Sequence, residues 1–242
     1  MKPPKIVAHR GYAARYPENT LEALQAAVDA GARHVEVDVQ LTADHVAILI
    51  HDDDLLRTSG IEGPVMELSW EAIRDYTVGE TQRLGDDFSH VRVPSVSDLA
   101  AWLRRNTGVC AFVEIKEESL AKFGTDWVIR RVLDALEPAL EQCVIISYDV
   151  TALEEARRYG GTPIGWVIRN WNGTDHSRAD TLKPDYLICN YKKINSDLWP
   201  GRWRWILYEI TDANLAMEWA AHGVEFAETM AVGELMADPR FA

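Results

Sequence analysis

The sequence predicts an α/β fold closed as a (β/α)8 TIM barrel, on three observations. The chain opens strand-helix-strand, the unit that favours a parallel sheet. Apolar strand-like runs then alternate with helical runs until about eight parallel strands are counted, the number a closed barrel needs. Chemistry-bearing side chains collect where those strands end, which is the functional face of such a barrel. An open doubly wound sheet is second choice, because no Gly-x-Gly-x-x-Gly follows the first strand.

Lys5 to Ala8 is a short apolar strand that runs into His9-Arg10-Gly11. Asn19 is placed to cap a helix, with Glu22 three residues on as its capping-box partner. Leu21, Leu24 and Val28 follow at helical spacing, and Gly31 stops the helix. The next strand, His34 to Gln40, contains Val35-Glu36-Val37-Asp38-Val39. Its period of two puts Glu36 and Asp38 on one face, about 7 Å apart along the strand. Carboxylates inside a valine strand need pairing, hydrogen bonds or a metal, unless that face is an exposed edge. Thr42 to His45 then reads as a tight turn, and Val46 to Ile50 as a return strand ending in His51-Asp52. So short a connection makes a β-hairpin, not a parallel crossover. A turn centred on Ala43 and Asp44 brings His51 back beside Asp38.

Residues 53 to 93 are polar and glycine-dotted and read as an insertion, with one short helix near Ser69 to Tyr76. Alternation then resumes. Val96, Leu99 and Leu103 mark a helix, and Val109 to Lys116 is a strand with Glu114 and Lys116 on one face. Thr125 to Leu140 is a helix interrupted near Pro138, and Cys143 to Ser147 is a strand. Asp149 caps a helix that stops at Gly160-Gly161. Pro163 to Ile168, Tyr186 to Cys189 and Arg204 to Tyr208 are strands. Asp212 caps the last long helix, Val224 to Ala227 is the last strand, and a short helix starts near Val232. The 242 residues are expected to form a single catalytic domain, 1–242, with 53–93 inserted in it.

Composition narrows the function classes. A net charge of −13 argues against nucleic acid and against anionic membrane surfaces as partners. No run is long and apolar enough to span a bilayer, so no stable membrane insertion is expected. Cys110, Cys143 and Cys189 are odd in number and each sits in an apolar run, which suits reduced thiols in a cytoplasmic protein. An anionic substrate needs a locally positive pocket, and the sequence is silent on oligomeric state.

The strand-end residues suggest what that pocket does. Glu36, Asp38 and Glu114 form an oxygen-rich set with no cysteine near it, which suits Mg2+ or Ca2+ better than Zn2+. His9 and His51 flank it, and paired imidazoles can take and give a proton in turn. Arg10 and Lys116 add fixed positive charge for an anion such as phosphate. A metal, an acid, a base and an anion clamp together suit phosphoester hydrolysis.

These residues also carry a resemblance. Ala8-His9-Arg10-Gly11, Pro17-Glu18-Asn19-Thr20, Glu36-Val37-Asp38-Val39, His51-Asp52, Leu56-Arg57-Thr58 and Val113-Glu114-Ile115-Lys116, in this order, resemble glycerophosphodiester phosphodiesterases. Ser147-Tyr148-Asp149, Trp205 to Asp212 and Gly223-Val224-Glu225 extend the likeness more loosely. The resemblance implies a (β/α)8 barrel and hydrolysis of a small-molecule glycerophosphodiester to an alcohol and glycerol 3-phosphate, with one divalent metal ion. It implies Glu36, Asp38 and Glu114 as metal ligands, His9 and His51 as the acid/base pair, and Arg10 and Lys116 as phosphate contacts.

The chain departs from the family pattern at named positions. Asp44-His45 stands where Asp-Gly is usual, which asks a non-glycine to take a positive φ. Tyr208-Glu209-Ile210-Thr211 stands where Trp-Thr-Val-Asn is common, and Thr229-Met230 where Thr-Asp is. The last two lie at the pocket rim, so weak turnover of glycerophosphocholine is the expectation. Plainer readings stand beside the functional ones. Lys116 can be simply an ion-pair partner of Glu114 or Glu36. His34, His45, His90, His176 and His222 read as surface residues. Trp199, Trp203 and Trp205 read as packing, and Trp171 as a candidate for stacking on substrate. Two other functions fit the scaffold: a phospholipase D-like enzyme acting on lysophospholipids, which would need an apolar lipid-facing rim, and a non-catalytic binding barrel, which would have lost a histidine or ligand.

Overall fold

The computed structural model describes residues 2–241. Its strands are β1 (Lys5–Ala8), β2 (His34–Leu41), β3 (Ala47–Leu49), β4 (Cys110–Ile115), β5 (Cys143–Ser147), β6 (Ile164–Val167), β7 (Tyr186–Asn190), β8 (Arg204–Tyr208) and β9 (Phe226–Thr229). Eight of them are parallel neighbours in the order β1-β9-β8-β7-β6-β5-β4-β2, and β1 pairs with β2 to close the ring. β3 lies outside it, antiparallel to the far half of β2. The helices pack around the ring, which makes this the (β/α)8 barrel the sequence predicts.

Alternation along the strands divides two cores. Val7, Phe112, Ile146, Val167, Ile188 and Phe226 point inward and fill the barrel. Val35, Val37 and Val39 point outward, fully buried under helices that carry Leu24, Leu99 and Leu103. A one-residue slip of β2 would drive Glu36 and Asp38 into that apolar outer layer, so burial of the three valines fixes the register that keeps both acids inside. The acids therefore line the barrel interior and do not lie on an exposed edge.

The segment between β3 and the helix Val96–Arg105 builds a small core from Leu55, Val65, Ile73, Val78 and Val91, packed with Ile48 of β3. Where one helix was expected, it carries three short ones, Leu56–Ser59, Trp70–Ile73 and Thr81–Leu84. Arg83 ties it to the barrel by donating to the carbonyls of Ala13 and Tyr16 at 2.7 and 2.9 Å.

Several sequence expectations need correction. The last strand is Phe226–Thr229, two residues beyond the predicted Val224 to Ala227, because its register is set by pairing with β1 from Lys5↔Phe226 to Ala8↔Thr229. Thr20, and not Asn19, caps the first helix, accepting from the Ala23 N–H at 3.2 Å. The helix beginning at Thr125 ends at Leu136, and Pro138 falls in the 3-10 turn Glu137–Gln142. His90 and His222 are exposed as expected, and three other histidines are half-buried. His34 points into the base of the barrel, its ring 5.1 Å from that of Phe226, and burial pushes its pKa down to about 4. His45 packs against Phe123 and Trp127 at 4.8 and 5.6 Å. His176 stacks on Trp199 at 5.0 Å. Trp171 also stacks on Trp199, at 4.4 Å, with its indole N–H on Ser196 at 2.8 Å, so packing accounts for it. The three thiols are free, Cys143 and Cys189 buried and Cys110 half-buried.

Candidate active site

The chain leaves β1 through two left-handed residues, Arg10 at φ 55° and Gly11 at φ 79°. Gly11 is forced: a Cβ there would lie 2.6 Å from the backbone carbon of Ala23. This turn swings Arg10 back over the barrel mouth. Its backbone N–H donates to Glu36 Oε2 at 3.0 Å and its Nη1 donates to Glu18 Oε1 at 3.0 Å. Arg10 Nε lies 3.1 Å from Asp38 Oδ2 but is not aligned to hydrogen-bond it, and this buried N–H has no acceptor. Glu18 also takes a fork from Arg57, Nη2 to Oε1 at 2.7 Å and Nη1 to Oε2 at 2.9 Å. Its Arg57 and Arg10 contacts outweigh burial and hold the Glu18 pKa below its ordinary value.

Asp38 is held from both ends. Asn19 Nδ2 donates to Oδ2 at 2.9 Å, and the Asp38 backbone N–H donates to Asn19 Oδ1 at 3.0 Å. Lys116 Nζ donates to Glu114 Oε1 at 2.9 Å and lies 3.4 Å from Asp38 Oδ1. Glu36, Asp38 and Glu114 each offer an oxygen within 4.8 Å of the others, and Glu36 Oε1 is buried with no hydrogen-bond partner. An orphaned buried carboxylate oxygen inside a ring of hard oxygen donors fits a divalent cation such as Mg2+ or Ca2+.

Electrostatics agree with that fit. Burial, then the Asp38 charge, pushes Glu114 up to about 7, and the same two causes hold Glu36 well above its ordinary value. Burial would raise Asp38 too, but Arg10 and Lys116 hold it down at about 2. Lys116 rises to about 12, since Asp38 and Glu114 outweigh burial. The acids crowd a pocket with too little positive charge, the condition a bound cation relieves.

His51, just beyond β3, lines the same cavity of about 190 Å3 as His9, Arg10, Asp38, Glu114 and Lys116. Its Nδ1 lies 2.7 Å from Asp52 Oδ1, and Asp52 Oδ2 accepts from Arg57 Nε at 2.7 Å. The sequence set His51 beside Asp38, but Ile50 takes that place, its N–H donating to Asp38 O at 3.0 Å. The turn after Thr42 holds three residues, 43–45, where a His51–Asp38 pair would need four, and His45 sits in it at φ 64°, the positive φ that the missing glycine foretold. All seven predicted site residues thus border one barrel mouth.

Sequence reasoning missed Glu228. It points inward from β9, buried, with Oε1 3.5 Å from His9 Nε2, and it joins His9 and Glu36 in a second group of potential ligands. Burial, then the Glu114 charge, raises its pKa to about 8, while burial lowers that of His9 to about 3. The signal was present as one acid within Phe226-Ala227-Glu228, but the misplaced strand end hid its direction. Tyr148 and Tyr208 close the cavity's far side, their hydroxyls 3.2 Å apart. Beside this inner cavity, and sharing His9 and Glu209 with it, lies an outer one of about 560 Å3.

The fold and site define a parallel (β/α)8 barrel with acids, two histidines, an arginine and a lysine gathered at its strand ends. Residues 9–189 match the family model of the glycerophosphoryl diester phosphodiesterase family, and the chain belongs to that family. It is 31% identical over 144 residues to the Bacillus subtilis protein YqiK, a match covering 59% of this chain and 57% of that one. It is 37% identical over 95 residues to glycerophosphodiester phosphodiesterase 1 of Bos taurus, covering 39% and 29%. The match thus spans little more than half of the first relative and under a third of the second. Among solved structures, an Oleispira antarctica phosphodiesterase in complex with its product sn-glycerol-3-phosphate superposes with a TM-score of 0.87 at 21% identity, covering 97% of this chain and 96% of that one. That likeness establishes the shared fold. Among the described residues, no helix is long and apolar enough to cross a membrane.

Proposed function

We propose that this chain, as one catalytic barrel with residues 53–93 inserted, hydrolyses glycerophosphodiesters to an alcohol and glycerol 3-phosphate. The observation that carries the reading is the convergence of Glu36, Asp38 and Glu114, with an orphaned buried oxygen on Glu36, between Arg10 and Lys116 and between His9 and His51. Family membership supports the same chemistry.

Glu36, Asp38 and Glu114 would hold one divalent ion, Mg2+ or Ca2+, which when bound supplies Lewis-acid stabilisation of charge on the phosphoryl oxygens. The chain's own groups do the rest. Arg10 and Lys116, both lining the cavity, bring fixed positive charge to the phosphodiester. Asp52 accepts the His51 Nδ1–H, which leaves the His51 Nε2 lone pair to take the proton from the attacking hydroxyl as its oxygen bonds to phosphorus, water supplying the oxygen that ends on glycerol 3-phosphate. The bond from phosphorus to the alcohol oxygen then breaks, and that oxygen takes a proton from His9. Glu228 Oε1 lies 3.5 Å from His9 Nε2, where it can orient the imidazole for that transfer. The test is glycerol 3-phosphate release from a panel of glycerophosphodiesters with and without chelator. Release that depends on divalent cation supports the reading, and no release from any member defeats it.

A further inference from the structure

The outer cavity stands apart from the machinery above, yet joins it at His9 and Glu209. Ala13, Ala14, Ile210, Met230 and Ala231 make its apolar surface. Four charged groups on its wall cancel in pairs: Arg57 forks onto Glu18, and Arg83 Nε donates to Glu80 Oε2 at 2.7 Å. Glu209 is different. Among the described residues it has neither a hydrogen bond nor an ion pair, although it stands at the junction of the two cavities. Its backbone is held there at φ 69°, a conformation that a side-chain-bearing residue adopts only under constraint. The constraint is local: the next residue, Ile210, is fully buried, and its N–H donates to Glu228 O at 3.2 Å.

We propose that the outer cavity is the alcohol subsite and that Glu209 selects alcohols bearing a positively charged nitrogen, such as choline or ethanolamine. This rests on the phosphodiesterase reading above. A carboxylate without a counter-ion beside apolar walls suits a group that brings charge and methyl or methylene surface. Gln82 and Thr211 on this wall offer hydrogen bonds to any alcohol, so the discrimination rests on charge: a neutral polyhydroxylated alcohol gains no ion-pair attraction from Glu209. His9 lines both cavities, so an alcohol oxygen at His9 leaves the rest of that alcohol facing Glu209. The weak turnover of glycerophosphocholine expected from the rim departures is thereby reversed: Glu209 is a gained counter-charge.

The test compares kcat/KM for glycerophosphocholine and glycerophosphoglycerol in the wild type and in Glu209→Gln and Glu209→Lys, with the cation present. The expected result is a wild-type ratio in favour of the cationic substrate that falls about fivefold in Glu209→Gln, the scale of an exposed ion pair. It falls further in Glu209→Lys, and the wild-type preference weakens with added salt. A ratio that is the same in all three proteins overturns the proposal. An NMR titration with choline and with its neutral tert-butyl isostere gives a readout that needs no turnover. Tighter binding of choline, lost in Glu209→Gln, upholds the subsite even if no diester is hydrolysed, in which case the phosphodiesterase reading alone fails. Equal binding of the two alcohols overturns the subsite even if hydrolysis proceeds.

Discussion

Asn19 grips Asp38 at both ends, its amide nitrogen on the carboxylate at 2.9 Å and its amide oxygen on the backbone N–H at 3.0 Å. Its own backbone is left-handed, at φ 56°, where asparagine is among the best-tolerated residues. This small clamp joins the loop after β1 to the centre of β2 and aims the most strongly ionised acid of the pocket.

Asn19→Ala should therefore cost about 2–3 kcal/mol of stability, the penalty for orphaning buried polar groups. Urea unfolding measures it. The same variant should bind divalent cation more weakly than the wild type. Unchanged stability and unchanged cation binding would show the clamp to be idle.

A cation site makes a prediction that needs no turnover. Mg2+ or Ca2+ should raise the melting temperature of the wild type in proportion to the logarithm of its concentration above Kd. Asp38→Ala should fold, lose this response and lose activity. An equal thermal response in that variant would move the cation elsewhere.

The pocket's titration has a definite sign. Glu114 and Glu228 carry folded-state values of about 7 and about 8, above the ordinary 4.5. Below about pH 6.5 His9 and His34, held down at about 3 and about 4, oppose this effect, but above it the folded, cation-free chain holds more protons than the unfolded chain, so its stability falls as pH rises toward 8. Asp38, held at about 2, contributes stability that is lost only in stronger acid. Melting temperatures of the chelated protein should decline from about pH 6.5 to about pH 8, and saturating cation should flatten the decline. A cation-independent slope would contradict the crowding of these acids.

The two histidines should separate by leaving group. His9→Ala and His51→Ala should each lower kcat by about 10²–10⁴. A diester with a good leaving group needs little acid help, so it should rescue His9→Ala and leave His51→Ala slow. Glu228→Gln should follow His9→Ala in this dependence. Rescue of both histidine variants alike would dissolve the division of labour.

Much of this was legible because the information is local. The valines of β2 dictate an outward apolar face and so an inward acidic one, and His45 announces its positive φ through the turn it occupies. What was not legible is set by distant pairing. Glu228 turns inward because β9 takes its register from β1, more than two hundred residues earlier in the chain. Asn19 reads as a helix cap until Asp38, nineteen residues on, claims its side chain. His51 misses its predicted partner by one residue because a turn leaving the strand after Thr42 would need four residues to set it opposite Asp38, and this turn holds three. The unpaired state of Glu209 depends on Glu18, Glu80, Arg57 and Arg83 satisfying one another across the barrel mouth.

Glycerol 3-phosphate release under controlled divalent cation tests the central claim most directly. The predicted result is release that stops when the cation is chelated, returns when Mg2+ or Ca2+ is restored, and is absent in Asp38→Ala under either condition. Release that continues undiminished in chelator, or that survives in Asp38→Ala, would contradict a cation held by Glu36, Asp38 and Glu114.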